Sequence, residues 1–520
     1  MCRSPTRSIE IRPSSESWRV VTSMKPRRGF AQEVVIKSSR LLRTWTPFAL
    51  LLAAVVLVPP LAPMASVPDF DSLFENKTMR VDYYHTGDAT MEVFALERAV
   101  SDGPWAGSRT RLLDDTNFGK YFYKVYDSAS GQLIYSRGFS SLWGEWETTG
   151  EAESMHRTLH ESLRFPWPKK PVRIVLDKRD AQNLFQLIWE IEIDPAARSV
   201  NPADLPPMGK VWTLFESGPP GEKVDIVLLG EGYSEEELAK FHEDARRLTE
   251  ELFATEPFKS RRSDFNVRAI DIATAESGVS RPHGGKYRRN PSGAQYGIFD
   301  SERYLLTYDN RSLRDILSAA PYEFMGILVN EKQYGGGGIY GTQMATSVDT
   351  DFSDYVFVHE FGHHFAALAD EYYLSPVAYE TGGVEFVEPW EANITALHDP
   401  EKLKWRDLVE PGTPLPTSWG KAEYEEHARA IGGRRGELIR EQAPEEEFDA
   451  LFHEQRGIES KMLASMEYSG KVGAFEGASY EPVGLYRSEV DCIMFTRDDV
   501  GFCRVCSRAI EKIIDLYVGK

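Results

Sequence analysis

His359-Glu360-Phe361-Gly362-His363 is the segment of this chain whose residue types and spacing most plainly specify a reaction. Positions i and i+4 share one helical face, so both imidazoles can hold one Zn²⁺ while the glutamate beside the first takes a proton from the water the metal activates. His359 and His363 then read as metal ligands and Glu360 as the general base, which later passes the proton to a leaving amine. Asp370 is the candidate third ligand, seven residues beyond His363 and nominally on the same face. A straight helix would carry it about 10 Å along the axis, so the helix must end or bend first. Glu371 and Glu391 are the alternative third ligands. His364 points away by about one hundred degrees and reads as a supporting or surface residue.

These side chains need a rigid frame, and the flanking pattern supplies one. Phe352, Tyr355, Val356 and Phe357 lead into the motif at helical spacing, and Phe361, Phe365 and Leu368 can bury the opposite flank. Upstream, Val224 to Leu229 is a near-continuous apolar run expected to be a strand, followed by a turn at Gly230 to Ser234. Ser234 then caps a helix reaching about Leu252. Phe265 to Ile272 and Phe324 to Asn330 read as further strands of one mixed sheet. Gly335 to Gly338 lack the lysine and Ser/Thr of a P-loop, so they read as a loop entering an edge strand near the motif helix, where a peptide could add as a further strand.

From Met79 to about Pro202 the texture differs. Met79–Tyr84, Phe118–Tyr126, Leu133–Phe139 and Val172–Val175 are short aromatic and β-branched runs separated by turn residues, which predicts an antiparallel, sandwich-like unit. Pro202 to Pro207 reads as a linker. Residues 421–456 are charge-rich with scattered apolar positions, which predicts an exposed helical insertion, either a plain solvated one or a lid over the cleft.

Length and charge exclude other classes. At 520 residues the chain is too long for one ordinary domain. Its 60 basic and 80 acidic residues leave a net charge of -20, and no basic-aromatic stripe occurs, so nucleic acid is not an expected partner. Arg40 and Arg43 precede an uncharged run from Phe48 to Val58 and the small residues up to Ser66, in the order of a secretory signal. Met24 is an alternative start. Membrane contact is expected only if that segment stays uncleaved as an anchor. In an exported chain, Cys492 can pair with Cys503 or Cys506; a structural zinc at Cys503 and Cys506 is the other reading, and it lacks an evident fourth ligand.

Longer segments extend the pattern: Leu229-Gly230-Glu231-Gly232-Tyr233, His359 to His363 through Leu368-Ala369-Asp370-Glu371-Tyr372, the Asn393 neighbourhood, Phe475-Glu476-Gly477-Ala478, and Asp491-Cys492-Ile493-Met494 before Phe502 to Cys506. Together they resemble the M64 (IgA peptidase) family of zinc metallopeptidases, which are metzincin-like. The resemblance implies an α+β chain: an N-terminal antiparallel β-sandwich-like domain, then an α/β zinc peptidase domain with a mixed sheet and the HExxH helix. The expected boundaries are 1–67 for the leader, 68–205 for the β-rich domain and 206–520 for the peptidase, with the insertion at about 421–456. It also implies that Met494 packs beneath the zinc histidines. A metzincin third histidine would fall at Ala369 and its glycine turn at Ala366, so the chain departs from that pattern at both positions. Tyr480 and Tyr486 are candidates for steadying an oxyanion. The expected function is that of a secreted or periplasmic zinc endopeptidase acting on a protein, peptide or glycoprotein. The alternatives are a zinc amidase acting on glycopeptide or cell-wall material, and a secreted binding protein without catalysis.

Overall fold

The computed structural model describes residues 68–375 and 386–519. The leader and its apolar run lie outside the described residues, and among the described residues no helix is long and apolar enough to cross a membrane. Ser66–Lys520 forms one compact α+β unit.

Its first part is a sandwich of two four-stranded sheets. One has the order Arg157–Pro168, Phe74–Gly87, Glu92–Ser101, Val200–Asn201; the other has the order Leu133–Phe139, Tyr121–Asp127, Val172–Arg179, Phe185–Ile193. Pairing is antiparallel except where Val200–Asn201 joins Glu92–Ser101 in parallel. Side chains alternate across a strand, so Tyr121, Tyr123, Val125 and Ile174 of one sheet share a core with Val81 and Leu163 of the other. The strands Glu92–Ser101, Arg157–Pro168 and Phe185–Ile193 went unread in the sequence. Arg157–Pro168 carries two prolines, which its place at a sheet edge tolerates.

The second part is built on a six-stranded mixed sheet of order Gly336–Ile339, Gln343–Ser347, Phe324–Val329, Val224–Glu231, Phe265–Asp271, Lys210–Phe215. The four inner strands run parallel and the two outer ones antiparallel to their neighbours. Both faces are covered, which is why Val224–Glu231 is buried along its whole length. Ile226 and Leu228 face one core with Phe241, Phe361, Phe365 and Ile514, from the helices Leu238–Ala254, Ser353–Ala366 and Arg504–Val518. Val227 and Leu229 face the other core with Leu313, Ile316 and Leu317 of the helix Asn310–Leu317. The Ser234 turn forms as its residue types suggest: the Glu237 carboxylate accepts from the Ser234 N–H at 2.8 Å, in a short 3₁₀ turn that leads into the helix.

Sandwich and mixed sheet share packed surface. Leu142, Trp143 and Trp146 of the sandwich part pack with Ile298, Leu306 and Ile339. The fully buried Arg80 joins Asp102 at 2.6 Å and Asp82 at 2.9 Å, and also bonds Asp315 on the helix Asn310–Leu317. Each of its three carboxylates fixes one direction of the guanidinium, so the two parts keep one register.

Candidate active site

The helix Ser353–Ala366 divides its side chains by face: Phe357, Phe361 and Phe365 enter the core, while His359 and His363 look toward a cleft. At Gly362 the helix meets another loop. A Cβ there would stand 2.8 Å from Phe502 and 3.1 Å from Met494 Sδ, so the glycine is what lets Met494 lie against this helix. The helix stops at Ala367, whose φ of 54° is left-handed and whose N–H bonds the His363 carbonyl at 3.1 Å. The chain turns at 367, one residue beyond the position of a metzincin glycine, and the candidate third ligand is a carboxylate at 370 where that pattern would have a histidine at 369. Asp370 thereby returns to the histidines that a straight helix would have carried it past.

Three donor atoms meet there. His359 Nε2, His363 Nε2 and Asp370 Oδ1 form a triangle with all three edges 3.1 Å. Ligands at about 2.05 Å on a tetrahedral zinc ion lie about 3.3 Å from one another, so the triangle has the size of one face of such a site. The ring orientations fit as well. His359 Nδ1–H donates to the Ile493 carbonyl at 2.9 Å and His363 Nδ1–H to the Leu368 carbonyl at 2.6 Å, which leaves each Nε2 lone pair turned inward. Tyr480 donates to Asp370 Oδ2 and Tyr372 lies over the His359 ring, their hydroxyls 3.3 Å apart.

The electrostatics follow from this crowding. Burial alone would raise the Asp370 carboxyl, but His363 and His359 outweigh it and hold the group well below the ordinary range. Burial would lower His363, and the Asp370 carboxylate reverses this, bringing it up to about 9. Glu360 is raised, chiefly by burial, with the two histidines pulling the other way. The glycine strand beside it explains its own composition. A Cβ on Gly336 would lie 2.8 Å from Glu360 Oε1 and one on Gly338 would lie 2.4 Å from the Glu360 carbonyl, so this edge strand approaches the helix closer than any other residue permits.

The remaining candidates separate cleanly. Glu371 is fully buried on the far side of the turn, where it accepts from Asn393 Nδ2 at 3.0 Å. Glu391 lies elsewhere on the cleft wall, raised by burial and opposed by Lys404 and Arg179. His364 is neither beside the triangle nor on the surface. It is buried, donates from Nδ1 to the Ile339 carbonyl at 2.8 Å, and accepts the Met325 N–H at 3.2 Å, tying the helix to two strands; burial pushes its imidazole down to about 4. Tyr486 sits in the strand Glu481–Arg487, away from the cleft, so of the two tyrosines only Tyr480 reaches the site.

Comparison with protein families decides the class. The model for the IgA peptidase M64 family matches residues 212–514, and the model for the M64 peptidase N-terminus matches residues 69–190. The chain belongs to the IgA peptidase M64 family. No curated protein sequence matches it. Membership makes it a peptidase, a hydrolase whose substrates are proteins or peptides.

In this M64 peptidase the cleft before the histidines is large, about 1180 Å³, and has three walls. The helix carrying the histidines and its glycine strand form one. The sandwich supplies a second through Lys120, Glu145, Lys178 and Arg179. The helices Lys421–Glu441 and Glu445–Ala464 supply the third through Tyr424, Ile431, Arg435 and Phe452. Those helices are anchored to the body: Glu445 accepts both guanidinium nitrogens of Arg303, at 2.8 and 2.9 Å. The sequence reading assigned the sandwich no part in the site, yet Glu145 comes near enough to His363 to feel its charge. Burial raises the Glu145 carboxyl to about 7, against a hydrogen bond from Tyr304. Tyr355, 3.2 Å from His359 Nδ1, was also missed as a site residue; its i,i+4 spacing to His359 was the available signal.

Proposed function

We propose that this chain is a secreted zinc endopeptidase that binds its metal through His359, His363 and Asp370 and uses Glu360 as the general base. The observation that carries the reading is the equilateral 3.1 Å triangle of Nε2, Nε2 and Oδ1 lining an open cleft. Zinc bound there would supply the Lewis acidity that lowers the pKa of a water to about 7 and polarises the scissile carbonyl.

The chain's own groups would do the rest. Glu360, raised by burial but pulled down by the imidazoles, accepts the proton of the attacking water and returns it to the leaving amine. Asp370 keeps its charge, and Tyr480 fixes the direction of its second oxygen. The Ile493 and Leu368 carbonyls hold both imidazoles in the tautomer that presents Nε2. Gly336–Ile339 offers backbone along the cleft for an extended substrate. In this reading 206–520 is the peptidase domain and 68–205 is a β-rich domain that walls its cleft. Residues 1–67 direct export.

The test is cleavage of denatured proteins and a peptide library, with metal content measured in parallel. Chelation should abolish cleavage, zinc should restore it, and Asp370→Ala should lose both the metal of the histidine triangle and activity. Cleavage that survives complete metal removal would refute the reading.

A further inference from the structure

A second set of donors lies behind the histidine triangle, one residue away along the chain. Glu371, Cys492, Cys503 and Cys506 are all buried, and one ligand atom from each falls within 4.8 Å of the others. Cys492 Sγ and Cys506 Sγ are 3.9 Å apart; Glu371 Oε1 is 3.3 Å from Cys506 Sγ and 4.0 Å from Cys503 Sγ. Tetrahedral zinc with Zn–S bonds of about 2.3 Å spaces its sulfurs about 3.8 Å apart, with sulfur to oxygen slightly less. Such spacings are nearly twice a disulfide bond of about 2.05 Å.

We propose that these four residues form a second, closed metal site, a structural zinc held by three thiolates and one carboxylate, which buttresses the loop segments around the histidine triangle. Three features support thiolates over ordinary buried thiols. The sulfurs face polar hydrogens: Cys503 N–H to Cys492 Sγ at 3.3 Å, Met494 N–H to the same sulfur at 3.5 Å, Cys506 N–H to Cys503 Sγ at 3.4 Å, and Ser488 Oγ 3.1 Å from Cys503 Sγ. Cys503 caps the helix Arg504–Val518 and Cys506 lies in its first turn, where the helix dipole favours negative charge. Glu371 is 0 % exposed, its Oε1 is oriented by Asn393, and its Oε2 has no hydrogen-bond partner, an expensive state for a carboxylate that a cation would relieve.

Neither plainer reading accounts for the cluster. A disulfide would use two sulfurs, strand the third, and leave the carboxylate uncompensated. Packing of cysteines as small apolar residues does not explain why a glutamate lies among them. Metal binding needs no oxidant: any protons on the thiols and carboxyl pass to solvent as the ion enters. Zinc with three thiolates and a carboxylate carries a net charge of about -2. The N–H donors, the helix start and the nearby Arg487 guanidinium all offset it.

Position gives the site its consequence. Glu371 follows Asp370 directly, and its N–H bonds the Met494 carbonyl at 2.8 Å. Ile493, between Cys492 and Met494, supplies the carbonyl that fixes His359. An ion here would therefore clamp the carriers of one proposed ligand and of one imidazole's orientation.

The experiment is zinc stoichiometry and cobalt(II) substitution in the purified chain, its His359→Ala/His363→Ala variant and its Cys503→Ser/Cys506→Ser variant. The proposal expects one zinc to remain in the histidine variant. It also expects thiolate-to-cobalt charge-transfer absorption in the near ultraviolet from wild type and the histidine variant, and its loss from the cysteine variant. Wild type alone decides if the cysteine variant fails to fold. A count of two zinc ions in wild type rests additionally on the histidine triangle; one zinc with sulfur-to-cobalt absorption would uphold this site and sink that one. Cobalt spectra without sulfur character, or a disulfide among these cysteines on non-reducing peptide mapping, would overturn the proposal.

Discussion

Asp370 and Glu371 are consecutive carboxylates that end up in opposite surroundings. Asp370 reaches into a cleft and completes a triangle with two imidazoles; Glu371 turns into the core toward three sulfurs. The same turn delivers both, clamped by Asn393, whose side chain bonds the Ala369 N–H and carbonyl at 2.9 Å each and the Glu371 carboxylate. In the proposed reading the contrast separates a reactive donor set from a supporting one. Three ligands facing an open cleft would leave a fourth direction for water and substrate, whereas four buried ligands would leave none. Donor chemistry follows the same division, with two imidazoles and a carboxylate on the open side and three sulfurs and a carboxylate in the core.

The sharpest way to break the comparison is to exchange its two halves. Asp370→Ala should abolish cleavage and remove the metal from the histidine triangle while leaving the cysteine-side metal in place. Glu371→Gln should retain measurable cleavage but lower thermal stability, read by calorimetry. If Glu371→Gln lost the triangle's metal and Asp370→Ala kept it, the roles would be reversed. Timed chelation sharpens the same point: cleft-side metal should leave first, with activity, and buried metal should leave later, with loss of fold. Tyr480→Phe removes the hydroxyl that orients Asp370 and should weaken zinc affinity by about 10- to 100-fold, measured by competition with a zinc indicator. The smallest effect is expected at Gly338→Ala. Its Cβ would press on the Glu360 carbonyl, costing about 1–3 kcal/mol in stability and reducing turnover through the displaced glutamate.

What could be read beforehand follows the reach of each signal. The histidine pair, the apolar strand at Val224 and the Ser234 turn are local patterns, and the structure builds the corresponding helix, strand and capped turn. The strand Glu92–Ser101 escaped because Glu, Leu, Ala and Arg favour helix by propensity, and only pairing with Phe74–Gly87 makes it extended. Asp370 could be placed near the histidines only on condition that the helix stopped, and the stop uses an alanine at positive φ rather than the glycine that would have announced it. The missing partner for three cysteines was Glu371, more than a hundred residues upstream and considered only as a cleft ligand. No spacing rule connects them; the Asn393 clamp and the Met494 hydrogen bond do. The reach of the sandwich into the cleft was hidden for the same reason.

The most direct measurement is cleavage of a denatured-protein and peptide library by the purified chain beside Glu360→Gln, with zinc counted in both. The account predicts equal zinc and a loss of about 10²- to 10⁴-fold or more in turnover for the variant. Turnover unchanged in Glu360→Gln would contradict it.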